Sequence, residues 1–175
     1  MENHYEIALS FAMEDYNLVE KVYHYLKAES IDVFFSPSQE SQVVLSGKNQ
    51  REIFYSIFGM NTDFVALFVT ESYIAKDVTM EEAGIAFAKH GCNGTVIPVY
   101  LDDAELPTDM FDPKNMNYFR SNNPAAIANH LASKVKSYTK KKTNKPLQTN
   151  PKIQISGNDV KNQIFIESLE GNLNL

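Results

Sequence analysis

Asp63-Phe64-Val65-Ala66-Leu67-Phe68-Val69 carries the strongest structural signal in the chain. It has strand length, and it lacks the polar alternation of a strand wetted on one face. A nearly continuous apolar strand is covered on both sides, which is the habit of parallel sheets with crossover helices. On its N-terminal side, Tyr5-Glu6-Ile7-Ala8-Leu9-Ser10 reads as a strand. A helix is predicted from Asp15 to Ala28, with Leu18, Val19, Val22, Tyr23 and Leu26 along one face. Ile31-Asp32-Val33-Phe34-Phe35 is a second strand, rich in β-branched and aromatic residues. Ser36 to Lys48 reads as a polar loop punctuated by Pro37 and Gly47. Asn49 to Phe58 reads as a helix with Ile53, Ile57 and either Phe54 or Phe58 inward. On the C-terminal side come a helix from Thr79 to Lys89 and a buried strand from Thr95 to Leu101. Residues 102–123 are irregular, with a short strand at Tyr118-Phe119, and Pro124 to Tyr138 forms a closing helix with proline at its first position. The alternation predicts an α/β fold, a central parallel sheet with helices on both faces. Functional groups of such sheets gather at the carboxyl ends of the strands, here the loops after Ser10, Phe35, Val69 and Leu101.

Composition narrows the function classes. The 175 residues are 43% hydrophobic, with 11 Phe and 9 Tyr, so the chain can build a sizeable core. The longest apolar run, Phe64 to Val69, is far short of a membrane span, which takes about 20 residues. Met1-Glu2-Asn3-His4 lacks the basic-then-apolar start of a secretory leader. The lone Cys92 forms no internal disulfide, and a cytoplasmic location is expected. A net charge of −6 disfavours broad nucleic-acid binding. His4, His24, His90 and His130 are scattered without metal-ligand spacing, so no metal site is expected. Gly47-Lys48 lacks the upstream glycine of a phosphate loop, and Ser10 lacks the glycines of a nucleophile elbow.

The charge is uneven. Lys140-Lys141-Lys142-Thr143-Asn144-Lys145-Pro146 opens a basic, polar linker taken as residues 140–151. Residues 152–175 alternate apolar and polar positions in three short stretches, 153–158, 162–167 and 171–175, joined by Gly/Asn turns. Two or three such strands expose unpaired edges. The tail is therefore expected to dock on its own domain or to pair with other copies.

Three strings together resemble a known family. They are Tyr5 to Asp15; Val33-Phe34-Phe35 with the polar loop closing at Ser46-Gly47-Lys48; and Val65 to Tyr73 running into Ala75-Lys76-Asp77-Val78-Thr79-Met80-Glu81-Glu82. In this order they are similar to the TIR (Toll/interleukin-1 receptor) domain, especially its bacterial, NAD-cleaving branch. The resemblance spans about residues 4–138, so residues 1–139 are taken as the TIR domain, with the flavodoxin-like fold that this implies. Its catalytic glutamate follows a tryptophan by four residues in a Trp-Thr-x-x-Glu-like motif. Carried onto Val78-Thr79-Met80-Glu81-Glu82, this implies Glu82 as the acid. Val78 stands in the tryptophan position, and the chain has no Trp. The resemblance further implies that Ser10, Phe11, Ala12, Val78 and Thr79 border the substrate. The Ser36 to Lys48 loop would line the entrance, with Lys48 balancing a diphosphate. NAD+ would be substrate rather than cofactor. Activity would depend on self-assembly, through the TIR domain and possibly the tail, in defence against phage alongside a partner effector or sensor.

The chemistry asks for few groups. Nicotinamide leaves a pyridinium as a neutral base, so no general acid is needed. The demanding part is steadying an oxocarbenium-like ribose, which one carboxylate can do electrostatically. Two bland readings stand beside this. Thr79-Met80-Glu81-Glu82 is also a capping box, in which Thr79 caps a helix and Glu82 reaches back to the Thr79 amide. The acid pair Asp102-Asp103 reads as a solvated loop. At the level of function, a non-catalytic TIR scaffold or host-signalling mimic is the alternative. A phosphate-accepting receiver domain is disfavoured, because the third strand ends Val69-Thr70-Glu71 without an Asp.

Overall fold

The computed structural model of the protein describes residues 4–143. Five strands form one parallel sheet in the order β2-β1-β3-β4-β5: β1 is Tyr5–Phe11, β2 Val33–Phe34, β3 Thr62–Val69, β4 Val96–Tyr100 and β5 Phe119–Arg120. Around it lie α1 (Tyr16–Ala28), α2 (Gln39–Leu45), α3 (Gln50–Phe54, continued by a π-helical turn over Tyr55–Met60), α4 (Glu71–Ile74), α5 (Asp77–His90) and α6 (Pro124–Thr143). The predicted flavodoxin-like α/β fold is thereby observed. β3 is central, and its residues from Phe64 onward are buried, which accounts for its unbroken apolar sequence.

Strand parity sorts the core into two layers. Ile7, Leu9 and Phe11 of β1 face one way, with Val19, Val22 and Leu26 of α1 and Ile127, Leu131 and Val135 of α6. Ala8 and Ala12 face the other way, with Val65, Leu67 and Val69 of β3, Tyr73 of α4, Ala83 and Ala86 of α5, and Ile53, Ile57 and Phe58. Each large aliphatic or aromatic side chain so buried is worth about 1.5–3 kcal/mol in transfer free energy. Ser10 falls between Ala8 and Ala12 in the period of two, so it points toward α4 and α5.

Several boundaries differ from expectation for local reasons. The Ser36 to Lys48 segment is not all loop. Ser38 caps α2, its Oγ accepting from the Ser41 amide at 3.1 Å, and Gly47 (φ +75°) follows the helix. The Asn49 carboxamide caps α3 through the amides of Arg51 and Glu52. Strand β2 is only two residues long, Ile31 and Phe35 being buried beside it. Helix α5 begins at Asp77, two residues before the predicted start, where an acidic first turn suits the helix dipole. Helix α6 runs to Thr143, taking in the first four residues read as linker. The remaining linker positions and the 152–175 tail lie outside the described residues. Among the described residues no helix is long and apolar enough to cross a membrane, and no group of His, Cys, Asp and Glu is placed to hold a metal ion.

Candidate active site

Helix α5 lies against the sheet with Thr79, Ala83 and Ala86 buried, a spacing that places them on one face. Glu82 belongs to that face: it is three residues after Thr79 and four before Ala86. A carboxylic acid is thus carried in under the helix, where packing residues are otherwise small. The π-helical turn closes in from the side at Gly59, where an added Cβ would stand 3.3 Å from Ile85 Cγ2. Arg51 Nε meets Glu81 Oε1 at 3.1 Å and ties α3 to the outer edge of α5.

The half-buried Glu82 does not meet apolar surface alone. Ser10, 1% exposed at the carboxyl end of β1, donates its hydroxyl to Glu82 Oε2 at 2.6 Å. The Ser10 oxygen lies 2.7 Å from the hydroxyl of Tyr73, a wholly buried residue of α4. A serine hydroxyl has one proton; with that proton given to Glu82, Tyr73 is the donor to Ser10. Tyr73 is held in turn by Thr70, whose Oγ1 accepts from the Tyr73 amide at 3.1 Å and donates to Asp15 Oδ2 at 2.8 Å.

Burial pushes the Glu82 carboxyl up to about 8; the bond from Ser10 works against that rise, and the charge of Glu81 adds to it. Burial likewise drives the Tyr73 phenol well above its ordinary value, so it stays a neutral donor. Burial thus favours the protonated acid, and a cation beside it would favour the ionised form.

These observations overturn the capping-box reading. Thr79 lies inside the first turn of α5, and its hydroxyl donates to the carbonyls of Tyr73 and Lys76, at 3.0 Å for the latter. Glu82 reaches Ser10 instead of the Thr79 amide.

Residues 7–132 match the family model described as TIR domain. The chain belongs to the TIR domain family. A relative of this TIR domain, the 3' cyclic ADP-D-ribose synthase AaTIR of Aquimarina amphilecti, is 31% identical over 136 residues. That match takes in 75% of this chain and 40% of the relative. The crystal structure of the TIR domain of the Toll-related receptor TRR-2 of Hydra magnipapillata superposes with a TM-score of 0.60 at 13% identity, covering 75% of this chain and 98% of that one. The second likeness speaks for the fold alone.

The structure brings together some of the expected site residues of this TIR domain and separates others. Glu82 and Ser10 meet where β1 ends against α5, and Thr79 is buried on the same face of that helix, one turn before Glu82. Val78 is 44% exposed in the first turn of α5, four residues before Glu82 and therefore on its side of the helix. Ala12 is buried in the layer that α5 covers. Phe11 is not in that layer: its ring stacks on Phe35, centroids 5.4 Å apart, on the opposite face of the sheet. Strand parity alone separates it from Glu82. Lys48 is exposed beyond α2. Of the acid pair read as a solvated loop, Asp103 is solvated, meeting Arg120 at 3.0 Å on the surface, whereas Asp102 is half-buried and its Oδ2 accepts from the Glu71 amide at 3.0 Å. A groove of about 540 Å³ runs along α5 past Gly84, Phe87, Ala88, Gly91 and Met116; Glu82 and Ser10 take no part in its lining.

Tyr73 escaped the sequence reading. A tyrosine three residues after a threonine cap looks like ordinary core, and parity cannot show that its hydroxyl finds a serine 63 positions away.

Proposed function

We propose that this TIR domain cleaves the nicotinamide–ribose bond of NAD+, with Glu82 as the catalytic carboxylate, releasing nicotinamide and either linear or cyclic ADP-ribose. One observation carries the reading. A carboxyl group on the sheet-facing side of α5 is desolvated and fixed by Ser10 at the carboxyl end of β1. The similarity to a 3' cyclic ADP-D-ribose synthase supports the substrate class.

The C1′–N bond breaks with its electron pair passing to the pyridinium nitrogen, so nicotinamide leaves neutral. Positive charge stays on C1′ and the ring oxygen of the ribose, where the Glu82 carboxylate stabilises it. Water, or a hydroxyl elsewhere in the same molecule, then bonds to C1′ and loses a proton. The first route gives linear ADP-ribose and the second a cyclic product. The positive nicotinamide ring favours the ionised form of Glu82, so binding and proton release are coupled. Val78, in place of an aromatic residue, would give the base a less stacked seat and a slower reaction.

The test is to incubate the purified chain with NAD+ over a range of pH and protein concentration and to resolve nicotinamide and the ADP-ribose products chromatographically. Nicotinamide release is expected, with kcat/KM rising as pH approaches about 8 and levelling above it, because the free enzyme must lose the Glu82 proton. The kcat profile should bend at lower pH, the bound cation having helped that loss. A defensive role against phage, activation by self-assembly and a partner effector or sensor belong to this same proposal. The exposed Val78 favours a second reading, a non-catalytic scaffold, for which no nicotinamide would appear at any concentration.

A further inference from the structure

The hydrogen-bond chain behind Glu82 assigns unequal work to its two carboxyl oxygens. Oε2 is taken by Ser10. Oε1 has no hydrogen-bond partner among the described residues. Among the described residues the fully buried side-chain polar atom without a partner is His90 Nε2, so Oε1 keeps some solvent contact. Oε1 is therefore the oxygen left without a hydrogen bond and accessible.

Resting on the NAD-cleaving reading, we propose that Tyr73 is a positioning residue for the reaction: acting through Ser10, it anchors Glu82 Oε2 and leaves Oε1 alone to face the ribose. Three features fit this role and exceed what core packing requires. Tyr73 is fully buried, yet its hydroxyl is aimed at a hydroxyl on another element. The relay joins β1, α4 and α5, so the position of the carboxyl is referred to the rigid sheet as well as to its own helix. A tyrosine donor also leaves the single Ser10 proton free for the carboxyl, which polarises the chain in one direction. The other charged group bearing on Glu82 is Glu81 on the same helix, itself paired with Arg51 from α3. A buried phenylalanine would fill the same space as Tyr73 and lack only the donor.

The experiment compares the full chain with its Tyr73→Phe, Ser10→Ala and double variants by two readouts. One is the titration midpoint of the Glu82 carboxyl, followed by carbon-13 NMR; the other is the kinetics of nicotinamide release. Tyr73→Phe is expected to raise the midpoint, since Ser10 becomes a weaker donor to the carboxylate, and to lower kcat about tenfold or more with KM little changed. Ser10→Ala should raise the midpoint further, and the double variant should match Ser10→Ala, because a broken relay has no second step to lose. Additive effects, or a Tyr73→Phe chain with the parent midpoint and kcat, would overturn the proposal. If the parent chain releases no nicotinamide in any assembled form, the NAD-cleaving reading fails. The NMR midpoint then decides the anchoring by itself, a shift upholding it and no shift refuting it. Melting temperatures confirm that each variant is folded.

Discussion

Glu82 makes stability and activity pull against each other. Its carboxyl titrates near 8 in the folded protein and near its ordinary 4.5 when unfolded, so the folded state binds the extra proton between these values. The stability contributed by the protonated side chain is fully present below about pH 4.5 and is lost as pH rises through about 8. Glu82→Gln, neutral at every pH, should therefore melt close to the parent chain at pH 5 and above it at pH 9, a gap visible in paired thermal scans. A gap that stays constant with pH would mean that the carboxyl is solvated. The resemblance singled out Glu82 and Ser10 in the sequence, and the structure sets them side by side. The partnership between them was not legible, because a hydroxyl at a strand end reads equally well as a turn residue. Phe11 shows the converse. It is adjacent to Ser10 in sequence, and a step of one residue along a strand sends its ring to the other face.

The elements with strong periodicity or unbroken apolar sequence were readable: β1, β3, β4, α1 and the core of α6 lie where the patterning puts them, within a few residues at the ends. Short elements held by single caps were not. Helix α2 is seven residues long, with only Ser41 buried, so it has no hydrophobic period to detect. Its signature is the serine before it. Replacing that cap, Ser38→Ala, should cost about 1 kcal/mol and raise amide exchange chiefly within residues 39–45, measurable by hydrogen-exchange NMR. Uniform exchange across that stretch in both chains would show that the cap does not hold the helix. The start of α5 was misplaced for a similar reason. Thr79 has the chemistry of a cap, but Lys76 already occupies the cap position, with extended backbone and a side chain that pairs with Glu14 and does not bond the helix amides. The hydroxyl of Thr79 turns back to two carbonyls instead.

For the molecule as a whole, a TIR fold holds a desolvated acid at the carboxyl edge of its sheet, and the proposed activity depends on self-assembly. If assembly completes the site, specific activity should rise with protein concentration and follow the growth of oligomers in light scattering. Activity per chain that is flat over a hundredfold range would place the whole site within one copy. The most direct measurement of the central claim sets the parent chain beside Glu82→Gln, both assembled and folded, and times nicotinamide release from NAD+. The account predicts clear turnover by the parent chain and a loss of about 100-fold or more in the variant, since the stabilising charge is removed and the shape retained. Equal release by the two proteins would contradict it.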